Sequence, residues 1–283
     1  MSHSIQDYML QHSKTLQATL GIEPSTSRIE VQCLLQEVLH VNRAYLYAHA
    51  EQVLNAVQDS AYMGLLKRRM QGEPIAYILG KREFFGLDLK VSPATLIPRP
   101  DTELLVEQAL LRIPAHQTCA VLDLGTGTGA IALSIAHVRP QAQVLAVDAS
   151  KDALQVAREN KLALGLSNVS LLLSDWFGAL EGLRFDVIVS NPPYIRSDDV
   201  HLSQGDVRFE PMTALASGVD GLRDIRQICS MSMQFLIPGG CLMLEHGYDQ
   251  AKAVQDIMSA AGFRKVYTER DLAGVERVTG GYA

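Results

Sequence analysis

Val121-Leu122-Asp123-Leu124-Gly125-Thr126-Gly127-Thr128-Gly129 decides the fold of this 283-residue chain. An apolar strand runs into a glycine loop and then into an apolar helix, Ala130 to about Val138. Glycines at such a junction let a ligand approach the backbone closely. Taken alone, the segment also fits the dinucleotide spacing Gly-x-Gly-x-x-Ala on Gly125, Gly127 and Ala130. An acid, Asp148, ends the next strand, Gln143 to Val147, where ribose hydroxyls are held. The segment by itself therefore leaves a nicotinamide dehydrogenase open.

The groups further along the chain narrow the choice. Asp175-Trp176 ends a third strand. A buried fourth strand, Phe185-Asp186-Val187-Ile188-Val189-Ser190, delivers Asn191-Pro192-Pro193-Tyr194. Two consecutive prolines donate no backbone N–H and fix φ, so they cannot extend a ladder and lock the chain into one shape. Pro-Pro alone reads as a rigid turn that ends a strand. Beside Asn191 and Tyr194, its free carbonyls make a fixed acceptor cluster with an aromatic wall, suited to a planar NH2 group. All four groups would project from the carboxyl edge, where open α/β sheets bind ligands. That is the layout of a class I methyltransferase using S-adenosylmethionine, with S-adenosylhomocysteine as product. Gly125, Thr126, Gly127, Thr128 and Gly129 face the methionine portion, Asp148 the ribose, Asp175 and Trp176 the adenine, and Asn191 the transferred methyl. A dehydrogenase does not account for Asn-Pro-Pro-Tyr.

Each assignment has a plainer rival. Asp148 is also placed to cap the helix starting at Ser150 or Lys151, and Trp176 to pack in the core. Asp123 either organises the loop or touches the methionine amino group, which stays open. Asn191 Oδ1 and the Pro192 carbonyl are expected to accept the two N–H bonds of the substrate amide, with Pro193 and Tyr194 beside it. Asn191, Pro192 and Tyr194 are thus the expected catalytic residues, acting by positioning rather than as general bases.

Composition bounds the rest. The hydrophobic content of 47% supports one large core and a small second domain. A formal charge of −6 argues against a protein held to nucleic acid mainly by phosphate contacts. Lys67-Arg68-Arg69 and Lys81-Arg82 read as a solvated helix end and a turn. Cys33, Cys119, Cys229 and Cys241 show no CxxC pairing and read as reduced core residues. The histidines lack metal spacing, so no metal is expected, and His246 reads as a strand-end residue. Met1-Ser2-His3-Ser4-Ile5-Gln6-Asp7 has no signal-peptide pattern and no span reaches membrane length, so a cytoplasmic, non-membrane protein is expected.

Residues 1–75 read as a helical domain. Its helices are Ile5 to Leu20, a second opened by a capping box at Ser27-Arg28-Ile29-Glu30 and reaching about Leu39, and a third from Gln52 to Met70. Residues 76–95 form a β-hairpin linker, with Phe84 to Val91 as the hairpin. Residues 96–283 form an α/β catalytic domain, a Rossmann-like, mostly parallel doubly wound sheet. There Asp101 or Thr102 caps a helix to about Arg112, and helices cover Lys151 to Leu164, Gly221 to Leu236 and Tyr248 to Ala261. Gly239 to Glu245 is a fifth strand, and Arg264 to Glu269 with Arg277 to Thr279 are closing edge strands, the antiparallel pair with which a methyltransferase sheet typically ends.

Several segments together are similar to one family. These are Glu73-Pro74-Ile75-Ala76-Tyr77-Ile78-Leu79-Gly80 with Glu83-Phe84, Leu96 to Glu103, Asp123 to Gly129, Asn191 to Tyr194, Phe209-Glu210-Pro211, Ala214-Leu215, and Gly218-Val219-Asp220-Gly221-Leu222. Over nearly its whole length the chain resembles the peptide chain release factor glutamine methyltransferases, the HemK or PrmC family. The resemblance implies methyl transfer to the side-chain nitrogen of the glutamine in the Gly-Gly-Gln motif of class 1 release factors. It also implies a helical amino-terminal domain that docks this substrate, and a monomer without a stable nucleic-acid partner. By the same resemblance Arg99 and Glu103 stand near the glycine loop and shape its entrance. The alternative is an adenine-amine methyltransferase acting on DNA or RNA, because a flipped adenine would satisfy the same acceptors.

Overall fold

The computed structural model describes residues 3–283, so Met1 and Ser2 of the amino-terminal stretch lie outside the described residues. The chain divides into two compact units. One comprises the residues up to Gly80 together with Ser203–Phe209, the other Lys81–Leu202 and Glu210–Ala283.

The first unit is helical. Helix α1 (Ile5–Leu20) opens with a capping box between Ser4 and Asp7 and closes at Gly21, whose φ of 67° is open to glycine. Helix α2 (Pro24–Leu39) starts a turn earlier than the expected Ser27 box, because Pro24 supplies a pre-set φ at the first helical position. Ser27 is buried inside the helix and donates to the Pro24 carbonyl at 3.0 Å. Helix α3 (Arg43–Ala48), short and capped by Asn42, was not expected. Helix α4 (Ala56–Met70) begins at an Asn55/Gln58 capping box rather than at Gln52, and Val53 instead bridges Ser4. A short α5 (Ile75–Leu79) completes the unit. Its core gathers Ile5, Leu16, Leu34, Leu35, Leu46, Tyr62 and Leu66.

The basic run at the end of α4 corrects the sequence reading. Arg69 is not solvated: its side chain is 3% exposed and donates from Nε to Glu30 at 2.8 Å and from Nη1 to Asp206 at 3.0 Å. Glu30, expected to close the Ser27 box, is drawn into this buried pair. Arg68 pairs with Glu73.

The second unit begins with a hairpin, β1 (Lys81–Phe84) and β2 (Leu87–Lys90). Its two-residue turn, Phe85-Gly86, has positive φ at both positions (51° and 77°), the twist that hairpins favour. The hairpin therefore starts three residues before the expected Phe84, which ends its first strand. Helix α6 (Glu103–Leu110) follows a 3₁₀ turn, Pro100–Thr102. Then come β3 (Cys119–Leu124), α7 (Ala130–Val138), β4 (Ala142–Asp148), α8 (Lys151–Ala163), β5 (Val169–Leu173), β6 (Phe185–Ser190), α9 (Arg223–Ser232), β7 (Leu236–Glu245), α10 (Ala251–Ala260), β8 (Arg264–Arg270) and β9 (Glu276–Tyr282). Helix α9 ends at Ser232, four residues short of the expected Leu236, because Leu236 already pairs with Phe185 as a strand.

The seven strands run in the order β5-β4-β3-β6-β7-β9-β8. All pairs up to β6–β7 are parallel, and β9 and β8 close the edge antiparallel. Strands β3 and β6 are buried on both faces, as apolar runs in a covered parallel sheet require. One core lies on each side of the sheet. The order reverses between β3 and β6, which opens a crevice at their carboxyl ends. Cys119, Cys229 and Cys241 are buried free thiols, and Cys33 is half-buried. Among the described residues no helix is long and apolar enough to cross a membrane.

Arg69→Ala is expected to destabilise the helical unit by about 3 kcal/mol, because it strands the Glu30 carboxylate in the interior. Far-UV circular dichroism through a urea titration measures the shift, and an unchanged midpoint would show that Glu30 is compensated otherwise.

Candidate active site

Leu124 pairs with Ser190 across β3 and β6, so Gly125 and Asn191 leave the sheet side by side. The Ser190 hydroxyl donates to the Leu124 carbonyl at 2.7 Å, in the interior, and pins the two exits. Beyond Leu124 the loop passes through positive φ at Gly125, Gly127 and Gly129 (72°, 57° and 85°). A Cβ at Gly129 would lie 2.8 Å from Leu133, so helix α7 packs against a bare backbone there.

Asp123 organises this loop. Fully buried, it accepts through Oδ2 from the Thr126 hydroxyl at 2.6 Å and from the Ala132 N–H at 3.2 Å. Its Oδ1 has no partner. Burial pushes its pKa up to about 7, against the two hydrogen bonds.

At the end of β4, Asp148 accepts from the Gly127 N–H at 2.8 Å and the Ser150 N–H at 2.9 Å, one bond on each carboxylate oxygen. It is not the helix cap. That role belongs to Ser150, whose hydroxyl accepts from Ala153. Trp176 follows β5 with a φ of 45°, a left-handed conformation that is costly for a bulky residue. It is held through its carbonyl, which accepts from the Ser174 hydroxyl at 2.7 Å. Its ring would touch a Cβ at Gly125 at 3.4 Å.

These ends surround a cavity of about 760 Å³. It is lined by Gly125, Thr126, Gly127, Thr128, Asp148, Asp175, Trp176, Asn191 and Pro193 among the residues expected from sequence. Gly129, Pro192 and Tyr194 stand outside the lining: Gly129 caps α7, Pro192 is buried, and the Tyr194 hydroxyl turns to Glu245 at 3.4 Å. Trp176 lines the cavity and also packs on a core.

Thr102 does not cap α6, and neither does Asp101. Helix α6 has no side-chain cap, and Asp101 pairs with Arg277 at 3.0 Å. Thr102 instead lines the cavity and accepts from Asn191 Nδ2 at 3.1 Å. Beneath it lies Glu245, 1% exposed at the end of β7, whose charged form the Thr102 hydroxyl favours. Burial dominates nevertheless and lifts Glu245 to about 7. The Tyr194 carbonyl accepts from Gln250 Nε2 at 3.0 Å. A Cβ at Gly221 would stand 2.3 Å from that carbonyl, so only glycine permits this approach. Arg99 lines the cavity and pairs with Glu210, which also accepts from the Ile97 N–H at 3.3 Å. Glu103 is directed elsewhere, accepting from the Phe85 N–H at 3.0 Å. Buried His246 bonds Thr279 at 2.8 Å and the Gly247 carbonyl at 2.9 Å.

Sequence reasoning passed over Thr102, Glu245, Gln250 and Glu210. For Glu245 the signal was present: it ends the strand next to β6, and the strand-end rule that selected Asp148 applies to it equally.

The cavity has the size and polarity of a nucleoside cofactor site. The Asp148 carboxylate keeps acceptor capacity beyond its two N–H bonds, and Gly127 has open space where a side chain would stand. These features fit S-adenosylmethionine.

Residues 115–268 match the family profile described as a methyltransferase domain, and residues 13–80 match the PrmC N-terminal domain. A release factor glutamine methyltransferase of Salmonella typhimurium is 52% identical over 259 residues, covering 92% of this chain and 93% of the relative. A release factor glutamine methyltransferase of Bordetella pertussis is 48% identical, covering 95% and 99% respectively. Among solved structures, a methyltransferase from Pyrococcus furiosus gives a TM-score of 0.54 at 19% identity, over 76% of this chain and 95% of that one, a likeness of fold.

A carboxyl raised from 3.8 to about 7 on folding holds its proton more tightly in the native state. Its contribution to stability is therefore complete below pH 4 and is lost as pH rises through 7. Asp123→Asn removes that dependence while keeping an acceptor for Thr126 and Ala132. Urea midpoints between pH 4 and 8 are expected to fall less steeply in the variant than in the wild type, and parallel curves would refute the assignment.

Proposed function

The chain belongs to the release factor glutamine methyltransferase family, and from that premise we propose that it methylates the side-chain nitrogen of the glutamine in the Gly-Gly-Gln motif of class 1 release factors. The methyl donor is S-adenosylmethionine. The observation that carries the reading is the orientation of Asn191. Its Nδ2 is engaged by Thr102, which leaves Oδ1 as the acceptor available at the cavity.

A carboxamide nitrogen is a poor nucleophile, because its lone pair is shared with the carbonyl. Positioning therefore does most of the work. Asn191 Oδ1 and the Pro192 carbonyl accept the two N–H bonds of the substrate amide. Fixed acceptors of this kind favour positive charge developing on the nitrogen. Pro193 and Tyr194 complete the substrate side, with Tyr194 held by Glu245 and Gln250. On the cofactor side, Asp148 takes the ribose hydroxyls, Asp175 and Trp176 border the adenine, and Gly125 to Gly129 with the α7 amino terminus receive the carboxylate through backbone N–H groups. When bound, S-adenosylmethionine supplies a methyl carbon activated by its sulfonium.

The helical unit is proposed to dock the release factor. The proposed setting is the cytoplasm, with the enzyme acting as a monomer and without a stable nucleic-acid partner. The formal charge of −6 supports that last point.

Incubation with labelled S-adenosylmethionine and, separately, release factor, its Gln-substituted variant and nucleic acid, followed by mass spectrometry, tests the reading. Label is expected only on the motif glutamine, and label on adenine would overturn it. Asn191→Ala is expected to lower turnover by about 100-fold or more, the value of roughly 3 kcal/mol for one preorganised group, with cofactor affinity little changed. Asp148→Ala is expected to weaken cofactor binding in calorimetry by about tenfold or more, the loss of a charge-assisted contact.

A further inference from the structure

A side-chain amide is held in one orientation only when its neighbours leave it no choice, since its oxygen accepts and its nitrogen donates twice. Asn160 on α8, 2% exposed, is such a case. Its Oδ1 accepts from the Lys90 N–H at 2.7 Å, and its Nδ2 donates to the Lys90 carbonyl at 3.0 Å and to the Thr128 carbonyl at 2.9 Å. A backbone N–H cannot accept and a carbonyl cannot donate, so a flipped amide would oppose all three partners. No other side chain of this length offers one acceptor and two donors on a single planar group.

The Lys90 pair anchors the amide to the end of β2, and the second Nδ2 hydrogen is left for the glycine loop. What it grips there is the peptide between Thr128 and Gly129. The N–H of that peptide donates to the Thr126 carbonyl at 2.8 Å, and its oxygen is the one that Asn160 takes. A peptide followed by glycine turns over readily, because glycine admits φ of either sign. Turned over, this one would set its N–H against Asn160 Nδ2 and its carbonyl against that of Thr126. The loop is proposed to receive a carboxylate through backbone N–H groups, and a carbonyl freed from α8 is repulsive to one. Thr128 lines the cavity, so the change would be felt there. Helix α8 is close enough to enforce the grip. A Cβ at Gly129 would stand 3.4 Å from the Cβ of Ala157, which lies three residues before Asn160 on the same helix face.

We propose that Asn160 is a positioning residue for the cofactor, holding the Thr128–Gly129 peptide in the orientation that receives S-adenosylmethionine, with the hairpin β1–β2 as its anchor. The consequence for binding rests on the proposed place of the cofactor on the loop, not on the identity of the methyl acceptor. The hairpin, which reads from sequence as a linker, thereby takes part in the cofactor site.

The test uses the full chain and S-adenosylmethionine in calorimetry. Asn160→Asp keeps an acceptor for the Lys90 N–H and removes both donors. It is expected to raise the dissociation constant by about tenfold or more, the loss of a buried donor to a carbonyl, with the number of binding sites as in the wild type. A merely structural role would do the reverse, lowering the number of sites through partial unfolding and leaving the constant as it was, and that result overturns the proposal. Glu159→Gln breaks the exposed Lys90–Glu159 ion pair between the same two elements and is expected to leave the constant unchanged. An equal loss there would overturn the particular role of the Asn160 amide. Should Asn160→Asp fail to fold, hydrogen exchange in the wild type decides. Lys90 does not line the cavity, yet coupling through Asn160 is reciprocal, so S-adenosylmethionine is expected to slow exchange of the Lys90 amide by about fivefold or more. An unchanged rate overturns the proposal. Failure of the wild type to bind S-adenosylmethionine would overturn the cofactor's proposed place and this role with it, whereas label on adenine with these binding results intact would overturn the proposed substrate alone.

Discussion

The parallel register of β3 on β6 is the constraint on which the site depends. Pairing Leu124 with Ser190 brings a glycine loop and an asparagine out of the sheet at one level, and the Ser190 hydroxyl on the Leu124 carbonyl holds them there. A slip of one residue would turn every side chain of β6 to the opposite face. Because both strands are buried on both faces, such a slip would not expose apolar surface, so the apolar pattern alone specifies the register weakly. The buried serine is a polar device that a slipped register would leave unpaired, at a cost of about 1–3 kcal/mol.

Around that register the catalytic edge concentrates acid, buried in Asp123, Glu210 and Glu245 and half-buried in Asp148. Asp123, Asp148, Glu210 and Glu245 all stand at or near the carboxyl ends of strands or in the segments that cover them. Each is tied to donors: Asp123 to Thr126 and Ala132, Asp148 to Gly127 and Ser150, Glu210 to Arg99 and Ile97, and Glu245 to the Tyr194 hydroxyl. Asp123 Oδ1 and Glu245 Oε2 nevertheless lack partners. Carrying them lowers stability, since a buried acceptor without a donor is unfavourable by about 1–3 kcal/mol. Sites that must hold polar groups at fixed angles accept such losses, and the left-handed Trp176 backbone is another of the same kind.

What was legible in the sequence was local or governed by strand ends. The glycine loop, Asp148, Trp176 and Asn191 follow from apolar runs that stop at chemistry-bearing residues, because a parallel sheet delivers all its carboxyl ends to one edge. The alternation of strands and helices likewise implied the doubly wound sheet, and the methyltransferase layout its antiparallel edge. Misreadings arose where a long-range partner outbid a local one. Ser27 and Glu30 have the spacing of a capping box, but Arg69, 39 residues away, takes the glutamate. Arg69 sits in a basic run that looks solvated, and only tertiary contacts bury it. Thr102 looks like a helix cap until Asn191, 89 residues on, claims its hydroxyl. No window of sequence contains both partners of these pairs.

The same contest explains the rigidity of the Asn191–Tyr194 elbow. Proline at two of its four positions removes backbone donors, so the elbow cannot be held by a ladder and must be held through its carbonyls and side chains. Gln250 donates to the Tyr194 carbonyl while its own Oε1 accepts from the Gly247 N–H at 2.8 Å, which fixes its orientation. Gly221 approaches the same carbonyl more closely than any side chain would permit. The hydroxyl of Tyr194 reaches Glu245, and the Thr102 hydroxyl accepts from Asn191 Nδ2. The elbow is thus gripped at its first residue by Thr102 and at its last by Glu245 and Gln250. A motif that reads as four consecutive residues is, physically, one end of a network drawn from the end of β7 and the segments around Thr102, Gly221 and Gln250.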